Sequence, residues 1–337
     1  MSSETPMTKD IFIHQKPRTA NAWEALKVPI RASAPGLNRF RRRSSADRLL
    51  AESEQRIRSV IDNRLLETYY QSIVDLRTGR SLGVEALSRF THELVRTPDL
   101  WFDEATSVGL GTELEVVALE RAVAGIDRLP ADMYMAINAS AEAIQSDEFH
   151  MSLADVDVER IVLEVVGQTA TTDYRALAAS IADLRSRGLR IAVDDVGVGP
   201  AGLAHLTDLR PDIIKLNAAL TRGIDRDPGR QALGLAHLQS GLNAHRSTVV
   251  AEGIETKEEL ATLRSLGFPV GQGFVLGRPG RGINRASELP LLPTRRVPEL
   301  TDWVRVAEPE AMPTVEAQDR SRDEAHALSL DLFPSVP

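Results

Sequence analysis

The 337-residue sequence contains no cysteine. This absence excludes disulfides, thiolate metal sites and cysteine nucleophiles, and it is typical of a reducing cytoplasm. The sequence also lacks an uncharged apolar run long enough to span a bilayer and a signal-peptide core near its N-terminus. Its formal net charge of −8 disfavours broad binding to nucleic-acid polymers. We therefore expect a cytoplasmic protein with no membrane span and no nucleic-acid polymer as partner.

Composition divides the chain into three parts. Residues 1–44 mix Pro, Ser, Arg and Asn without periodicity, which predicts a disordered basic and polar leader. Residues 289–337 are rich in Pro and acidic side chains and are predicted to form a tail. Residues 45–288 remain for one large domain with a sizeable core. From Ser45 to about Leu66, apolar residues recur at helical spacing, so an amphipathic helix should lead into this domain.

Short apolar or β-branched runs alternate with amphipathic helical stretches through the central part. We expect eight strands, in "ETYYQSIVDL", "SLGVEALSRF", "MYMAINAS", "IVLEVV", "RIAVDD", "DIIKLN", "STVVAEGI" and "GQGFVL". The first two runs are joined by "RTGR", which is too short for a crossover helix, so they should pair antiparallel. The pattern predicts a modified TIM (β/α)8 barrel with an antiparallel first strand, and an open doubly wound sheet is the alternative.

Each predicted strand carries a polar side chain within or at the end of its apolar run. These residues are Gln71, Glu85, Asn138, Glu164, Asp194 with Asp195, Lys215, Glu252 and Gln272. Taken singly, Asp195 would be a helix cap and Lys215 a lysine whose ammonium reaches solvent. Because burying one unpaired charge is costly, a set spread over eight strands needs a shared explanation. The C-terminal strand ends of a barrel converge on one mouth, where we expect these side chains to meet.

The oxygen donors in this set indicate a metal site. The five carboxylates and the amide oxygen of Asn138, without histidine at any of these positions, favour Mg²⁺ or Mn²⁺ over Zn²⁺. Their mutual repulsion, with Lys215 and Arg89 as the nearby positive charges, is relieved by bound cations. The adjacent Asp194 and Asp195 suit two ions that activate a water for attack on a phosphodiester. The residue types leave other metal-dependent barrel reactions open, including proton abstraction of the enolase type.

The stretch "YYQSIVDLRTGRSLGVEALSRF" resembles the signature of EAL domains, the cyclic di-GMP phosphodiesterases, and Glu85-Ala86-Leu87 is the tripeptide that names them. The similarity covers roughly residues 55–285 and recurs in order at each later motif. It implies a TIM barrel whose first strand is antiparallel, hydrolysis of cyclic di-GMP to linear pGpG with two Mg²⁺ or Mn²⁺ ions, and a homodimer. With no sensor or cyclase domain visible, regulation is expected through the tails, dimerisation or a regulatory protein partner.

The resemblance also assigns roles to single positions. The first-metal ligands are matched by Glu85, Asn138, Glu164 and Asp194. The second-metal ligands are matched by Asp194, Asp195 and Glu252. Lys215 resembles the lysine that contacts the attacking water, so the expected catalytic set is Lys215, Glu85 and Glu252. Positions that hold or surround the dinucleotide are matched by Gln71, Leu87, Arg89 and Gln272. A supporting acidic position is matched by Glu255.

Three features depart from the family pattern. In "LEVVG", Gly167 stands where family members usually have a glutamate that anchors the loop after the paired aspartates. That loop usually reads like "DFGTGYSS", but here "DVGVGPAG" brings in Val198, Pro200 and Ala201. Asn217 replaces the aspartate of "IKID". These changes predict a phosphodiesterase of reduced activity, and the alternative is a catalytically inactive EAL domain acting as a cyclic di-GMP receptor or protein-interaction module.

Overall fold

The structure, a computed structural model, describes residues 45–166, 173–196, 208–241 and 247–283, apart from the side chains of Val166, Asp195 and Val196. The predicted leader and tail, and the rewritten loop with Gly167, lie outside these ranges. The described residues form a closed barrel whose eight strands are neighbours in chain order. The closure confirms the barrel prediction and excludes the open doubly wound sheet.

The strands of the barrel follow the predicted runs closely. They are β1 Leu66–Asp75, β2 Ser81–Phe90, β3 Tyr134–Ser140, β4 Ile161–Val166, β5 Arg190–Val196, β6 Ile213–Leu216, β7 Thr248–Ala251 and β8 Val270–Gly271. Strand β1 pairs antiparallel with both β2 and β8, and the pairs from β2–β3 to β7–β8 are parallel. The antiparallel start predicted from the short "RTGR" connection is therefore confirmed.

The helices lie between the strands, after an N-terminal helix that precedes β1. They are α1 Ser45–Asp62, α2 Pro98–Ser107, α3 Gly111–Val123, α4 Ala141–Ile144, α5 Asp147–Ser152, α6 Tyr174–Ser180, α7 Ala182–Ser186, α8 Ala218–Thr221, α9 Pro228–Ser240 and α10 Lys257–Ser265. Short 3₁₀ turns occupy Ile126–Arg128 and Val158–Arg160. No helix within the described ranges is long and apolar enough to cross a bilayer.

The eighth strand is shorter than the run "GQGFVL" predicted. It ends at Gly271, so Gln272 follows the strand. The backbone of Gly273 lies so close to that of Ile254 that an added Cβ would sit 2.2 Å from the Ile254 carbonyl oxygen. The amide of Leu276 then donates to the Gly273 carbonyl at 3.0 Å, which closes a turn. Close packing on the preceding loop therefore ends the strand early.

Side chains inside the barrel form layers because residues two apart on a strand share a face. The apolar middle layer consists of Ile73, Ala136, Val162, Ala192, Ile213, Val250 and Val270. Each of these lies two positions from one of the polar residues singled out in the sequence. Below them, the guanidinium carbon of Arg190 lies 4.7 Å from the centre of the Tyr134 ring. Gly83 faces this ring, since a Cβ there would be 2.8 Å from it. The polar layer thus rests on a packed apolar floor.

The predicted N-terminal helix begins at Ser45 and packs through its C-terminal half. Ile57 and Val60 are buried with Trp101, whereas Leu49 remains 64% exposed. Glu104 of α2 accepts a hydrogen bond from Nε of Arg56 on α1 at 3.1 Å and a second one from Arg96. Burial alone would raise the pKa of Glu104, but the hydrogen bonds from Arg56, Ser53 and Arg96 lower this pKa to about 2.

Candidate functional site

A buried lysine lies at the centre of the polar layer. The Nζ atom of Lys215, on β6, is 2.7 Å from Oε2 of Glu164 and 2.7 Å from Oε1 of Glu252. It is also 3.7 Å from Oε2 of Glu85. Burial by itself would lower the pKa of Lys215, but the charges of these three carboxylates raise that pKa well above its ordinary value. The ammonium therefore balances part of the negative charge in the barrel mouth.

Amide side chains hold Glu85 in place from the other side. Nε2 of Gln272 donates to Oε2 of Glu85 at 2.5 Å and to Oε1 of Gln71 at 3.1 Å. Nε2 of Gln71 donates in turn to the carbonyl of Gly277 at 2.9 Å. Nδ2 of Asn138 donates to Oε1 of Glu85 at 2.8 Å. Both carboxylate oxygens of Glu85 are thus oriented by neutral donors, which fixes the rotamer of this side chain.

Strand register explains why these residues meet. Gln71 is directly opposite Glu85 in the β1–β2 pair, and Asn138 is opposite Glu164 in the β3–β4 pair. The β5–β6 register shifts between Val193 and Val196, at the position of the two aspartates. Such a bulge re-aims side chains and releases neighbouring residues from strict alternation. The backbone irregularity of β5 therefore falls at the two adjacent aspartates singled out in the sequence.

The polar layer also contains the buried side chains of Asp194 and Gln272. Asp194 is 3% exposed at the end of β5, and the side chain of Asp195 is outside the described set. The Oε1 atom of Gln272 is buried and has no hydrogen-bond partner in the described part of the chain. An unsatisfied buried acceptor is rare in native proteins unless a water, ion or ligand supplies its partner.

The remaining predicted residues lie around the cluster or away from it. Arg89 donates to the Ser88 carbonyl at 2.8 Å, and burial lowers its pKa. Leu87 is half-buried on the same strand, β2. Glu255 is exposed and forms an ion pair of 2.6 Å with Arg222, so the structure does not bring it into the cluster.

Tyr69 is a site residue that the sequence analysis missed. Its ring lies 5.5 Å from the guanidinium carbon of Arg89 and 5.9 Å from that of Arg281. Its hydroxyl accepts from Nε of Arg281 at 3.2 Å. Tyr69 precedes Gln71 by two positions and shares its strand face. The period-two pattern was therefore a signal that could have identified it.

The departure at Asn217 has a structural explanation. Oδ1 of Asn217 accepts from the Ala219 amide at 2.6 Å and caps α8. Asparagine and aspartate are comparably good in this role, so the replacement preserves the cap behind Lys215.

The ligand atoms of the polar layer are of the type that a hard divalent cation prefers. Among the described residues, no group of three or more histidine, aspartate or glutamate side chains is arranged to hold a metal ion. The donors that surround Lys215 are carboxylate and amide oxygens, the ligands that Mg²⁺ and Mn²⁺ prefer. The unsatisfied oxygen of Gln272 is a further acceptor for a water or ligand at this place.

The chain is similar to several proteins named for an activity or solved with a ligand. The cyclic di-GMP phosphodiesterase PA2567 of Pseudomonas aeruginosa is 32% identical over 248 residues, which is 70% of this chain but 39% of that relative. The c-di-GMP complex of the PaMucR phosphodiesterase, also from Pseudomonas aeruginosa, superposes with a TM-score of 0.61 at 28% identity and covers 68% of this chain and 97% of the other.

A manganese and c-di-GMP complex of Klebsiella pneumoniae BlrP1 has a TM-score of 0.59 at 29% identity, over 66% of this chain and 58% of the other. The profile described as the EAL domain matches residues 54–279, which lies within the predicted domain. The match covers well over half of the sequence, and this chain therefore belongs to the EAL domain family.

Proposed function

We propose that this chain hydrolyses cyclic di-GMP to linear pGpG with Mg²⁺ or Mn²⁺, at a rate reduced by its altered loop. The observation that carries this proposal is the buried Lys215 ammonium, held 2.7 Å from both Glu164 and Glu252 above an apolar floor. A buried lysine surrounded by carboxylates has little use in a purely structural barrel, where apolar residues would pack at lower cost. The relatives named as phosphodiesterases support the same activity.

The metal ligands proposed here are those of the sequence prediction. One ion would be held by Glu85, Asn138, Glu164 and Asp194. The second would be held by Asp194, Asp195 and Glu252. When bound, the ions supply an acidified water and stabilise the phosphoryl oxygens.

The chain's own groups position the reactants. Glu164 and Glu252 hold the Nζ atom of Lys215, and the ammonium would offset the negative charge of the phosphodiester. Gln272 and Gln71 orient Glu85 through the hydrogen bonds described above, as a second layer of polar groups commonly does. The packed floor excludes water from below, and the polar groups above it are themselves nearly fully buried.

Arg89 and Leu87 form the proposed dinucleotide contacts. The planar guanidinium of Arg89 offers paired N–H donors that match a phosphate, and the Tyr69 ring beneath it restricts its motion. Leu87 supplies apolar contact on the same strand. A homodimer and a regulatory protein partner remain predictions.

The second candidate is a cyclic di-GMP receptor without hydrolysis. Gly167 favours it, because this replacement removes the glutamate that would anchor the loop after Asp195. The pocket groups could still bind the dinucleotide while the catalytic geometry is lost.

One experiment separates the two candidates. The purified chain is incubated with cyclic di-GMP and Mn²⁺, pGpG is quantified by chromatography, and binding is measured separately by calorimetry. We expect pGpG from the parent and from Glu258→Gln, an exposed carboxylate on α10, but not from Glu252→Gln. Binding without any pGpG would favour the receptor, and absence of both would refute both candidates.

A further inference from the structure

A cavity lies outside the barrel, against the N-terminal half of β1. Its volume is about 440 Å³. Polar groups that line it include Arg64, Arg121, Arg128, Arg281, Thr68 and Thr91. Glu67 is the sole acidic residue among the described ones that line it. Four guanidinium groups outnumber the one lining carboxylate, so the cavity has an excess of positive charge.

The antiparallel start of the barrel creates this space. Within the described residues, β8 pairs with β1 at Val74 and Asp75, which lie at the far end of β1. Nearer its N-terminal end, β1 forms an isolated antiparallel bridge through Tyr70 with Gly280. The N-terminal half of β1 is therefore flanked by the chain around Arg281 and by the end of α3, and the cavity lies between these two segments.

Two of the four arginines have no acidic partner in the described part of the chain. Arg64 forms an ion pair of 2.6 Å with Glu120, and Arg281 forms one of 2.9 Å with Glu67. Arg121 instead donates to the Arg64 carbonyl at 3.2 Å, and Arg128 approaches the Tyr70 hydroxyl at 3.4 Å. Positive groups that gather without matching carboxylates attract an anion.

The backbone at Arg64 helps to place these groups. Arg64 has a φ of +50°, a conformation that residues other than glycine, asparagine and aspartate seldom adopt. In this conformation its carbonyl accepts from the Leu66 amide at 2.8 Å as well as from Arg121. Strained backbone of this kind tends to occur where a site is preorganised.

We propose that this cavity binds a small phosphorylated anion. Guanidinium groups offer paired donors that match phosphoryl oxygens, and the hydroxyls of Thr68 and Thr91 add neutral donors. The volume lies within the range of small-molecule sites. Tyr70 supplies the one aromatic ring among the described lining residues and is 4% exposed, so recognition rests on the phosphoryl group and not on stacking of a base.

The catalytic groups do not line the cavity, although Arg281 belongs to its lining and also contacts Tyr69. Tyr70 lines the cavity, whereas its neighbour Gln71 points to the other face of β1 and hydrogen-bonds within the polar layer. A ligand in the cavity therefore does not touch the catalytic groups. Binding there does not depend on hydrolysis of cyclic di-GMP.

The test uses inorganic pyrophosphate as the probe and the metal-free protein in EDTA. Without metal, the carboxylate-rich mouth repels this anion, so calorimetry reports the cavity. Arg121→Gln combined with Arg128→Gln should weaken binding by at least about tenfold, because each change removes charged donors. Thr91→Val keeps the charge and should weaken it by a smaller factor, about threefold. The matched control is Arg77→Gln, an exposed arginine in the turn between β1 and β2, which should bind as the parent does.

Three results would overturn the proposal. The first is no heat of binding with pyrophosphate at millimolar concentration and low salt. The second is an unchanged affinity in the double variant, with circular dichroism showing a folded protein. The third is an equal loss in Arg77→Gln, which would mean that only the overall charge matters. Activity toward cyclic di-GMP does not enter these readouts, so a failure here leaves the proposed hydrolysis untouched.

Discussion

Replacing Lys215 by methionine tests the central ion pairs most directly. Methionine keeps an unbranched chain of similar length but removes the ammonium. Glu164, Glu252 and Glu85 would then face one another without the positive charge that now lies 2.7 to 3.7 Å from them. Removing one partner of a buried ion pair costs roughly 3–5 kcal/mol because the other charges remain buried. For a domain of this size, that corresponds to a fall in Tm of roughly 6–20 °C in EDTA.

Mn²⁺ should reverse much of this loss if the carboxylates are metal ligands. In the parent, the ammonium competes with an incoming ion for Glu164 and Glu252. In Lys215→Met, both carboxylates are available to bind the ion. We therefore expect Mn²⁺ to raise the Tm of the variant more than that of the parent, since a ligand stabilises the state that binds it. Hydrolysis should be absent in the variant even with Mn²⁺, while cyclic di-GMP binding persists.

The measurement is differential scanning fluorimetry with EDTA or Mn²⁺, and pGpG is followed in parallel. Lys257→Met serves as the control because Lys257 is an exposed lysine at the start of α10. It should melt within about 2 °C of the parent under both conditions, as surface substitutions usually do. If Lys215→Met also melts within that interval in EDTA, the ammonium does not balance the buried carboxylates and the reasoning is wrong.

Four further predictions follow from other parts of the chain. Asp194→Asn should weaken Mn²⁺ binding more than any other single carboxylate change, because a shared ligand serves two ions. Equal losses of Mn²⁺ affinity in all the carboxylate variants, measured by calorimetry, would contradict this. Gly167→Glu combined with Val198→Thr, Pro200→Tyr and Ala201→Ser should raise pGpG formation by more than the sum of the effects of Gly167→Glu alone and of the three loop changes alone. A parent that is already as active as the combined variant would argue against a defective loop. A chain starting at Ser45 should melt as the parent does. Glu104→Gln should destabilise the fold above pH 4.5, and its Tm difference from the parent should vanish as the pH falls toward 2, since the folded pKa of Glu104 is about 2.

Local sequence patterns were sufficient for the strands and their polar residues. The strands around Glu85 and Lys215 are short apolar runs that each contain a charged residue, and such runs are recognisable within a few residues. The antiparallel β1–β2 pair follows from the length of "RTGR", since a four-residue connection cannot cross a sheet. The family resemblance added the expected ligand and metals, and the profile match over residues 54–279 confirms the family.

Other features depended on contacts between segments distant in sequence. Strand β8 ends at Gly271 because Gly273 packs on Ile254, which no pattern within "GQGFVL" reveals. Tyr69 gained its importance from Arg89 and Arg281, which lie 20 and 212 residues later in the chain. Glu255 belongs to a matching motif, yet it pairs with Arg222 on the surface and stays outside the cluster.

The sequence by itself determined the order of strands and helices, the antiparallel first strand and the identity of the polar side chains, because apolar runs and connection lengths are local. The closure of the sheet excluded the open alternative that local patterns had left. The tertiary structure alone decided which carboxylates share Lys215, which amides orient Glu85, and that four arginines surround a cavity beside β1. Those outcomes depend on distances between strands and loops that are remote along the chain. Electrostatic and hydrogen-bond energies change steeply with such distances. The ion pairs and hydrogen bonds of the site therefore form only when the barrel closes.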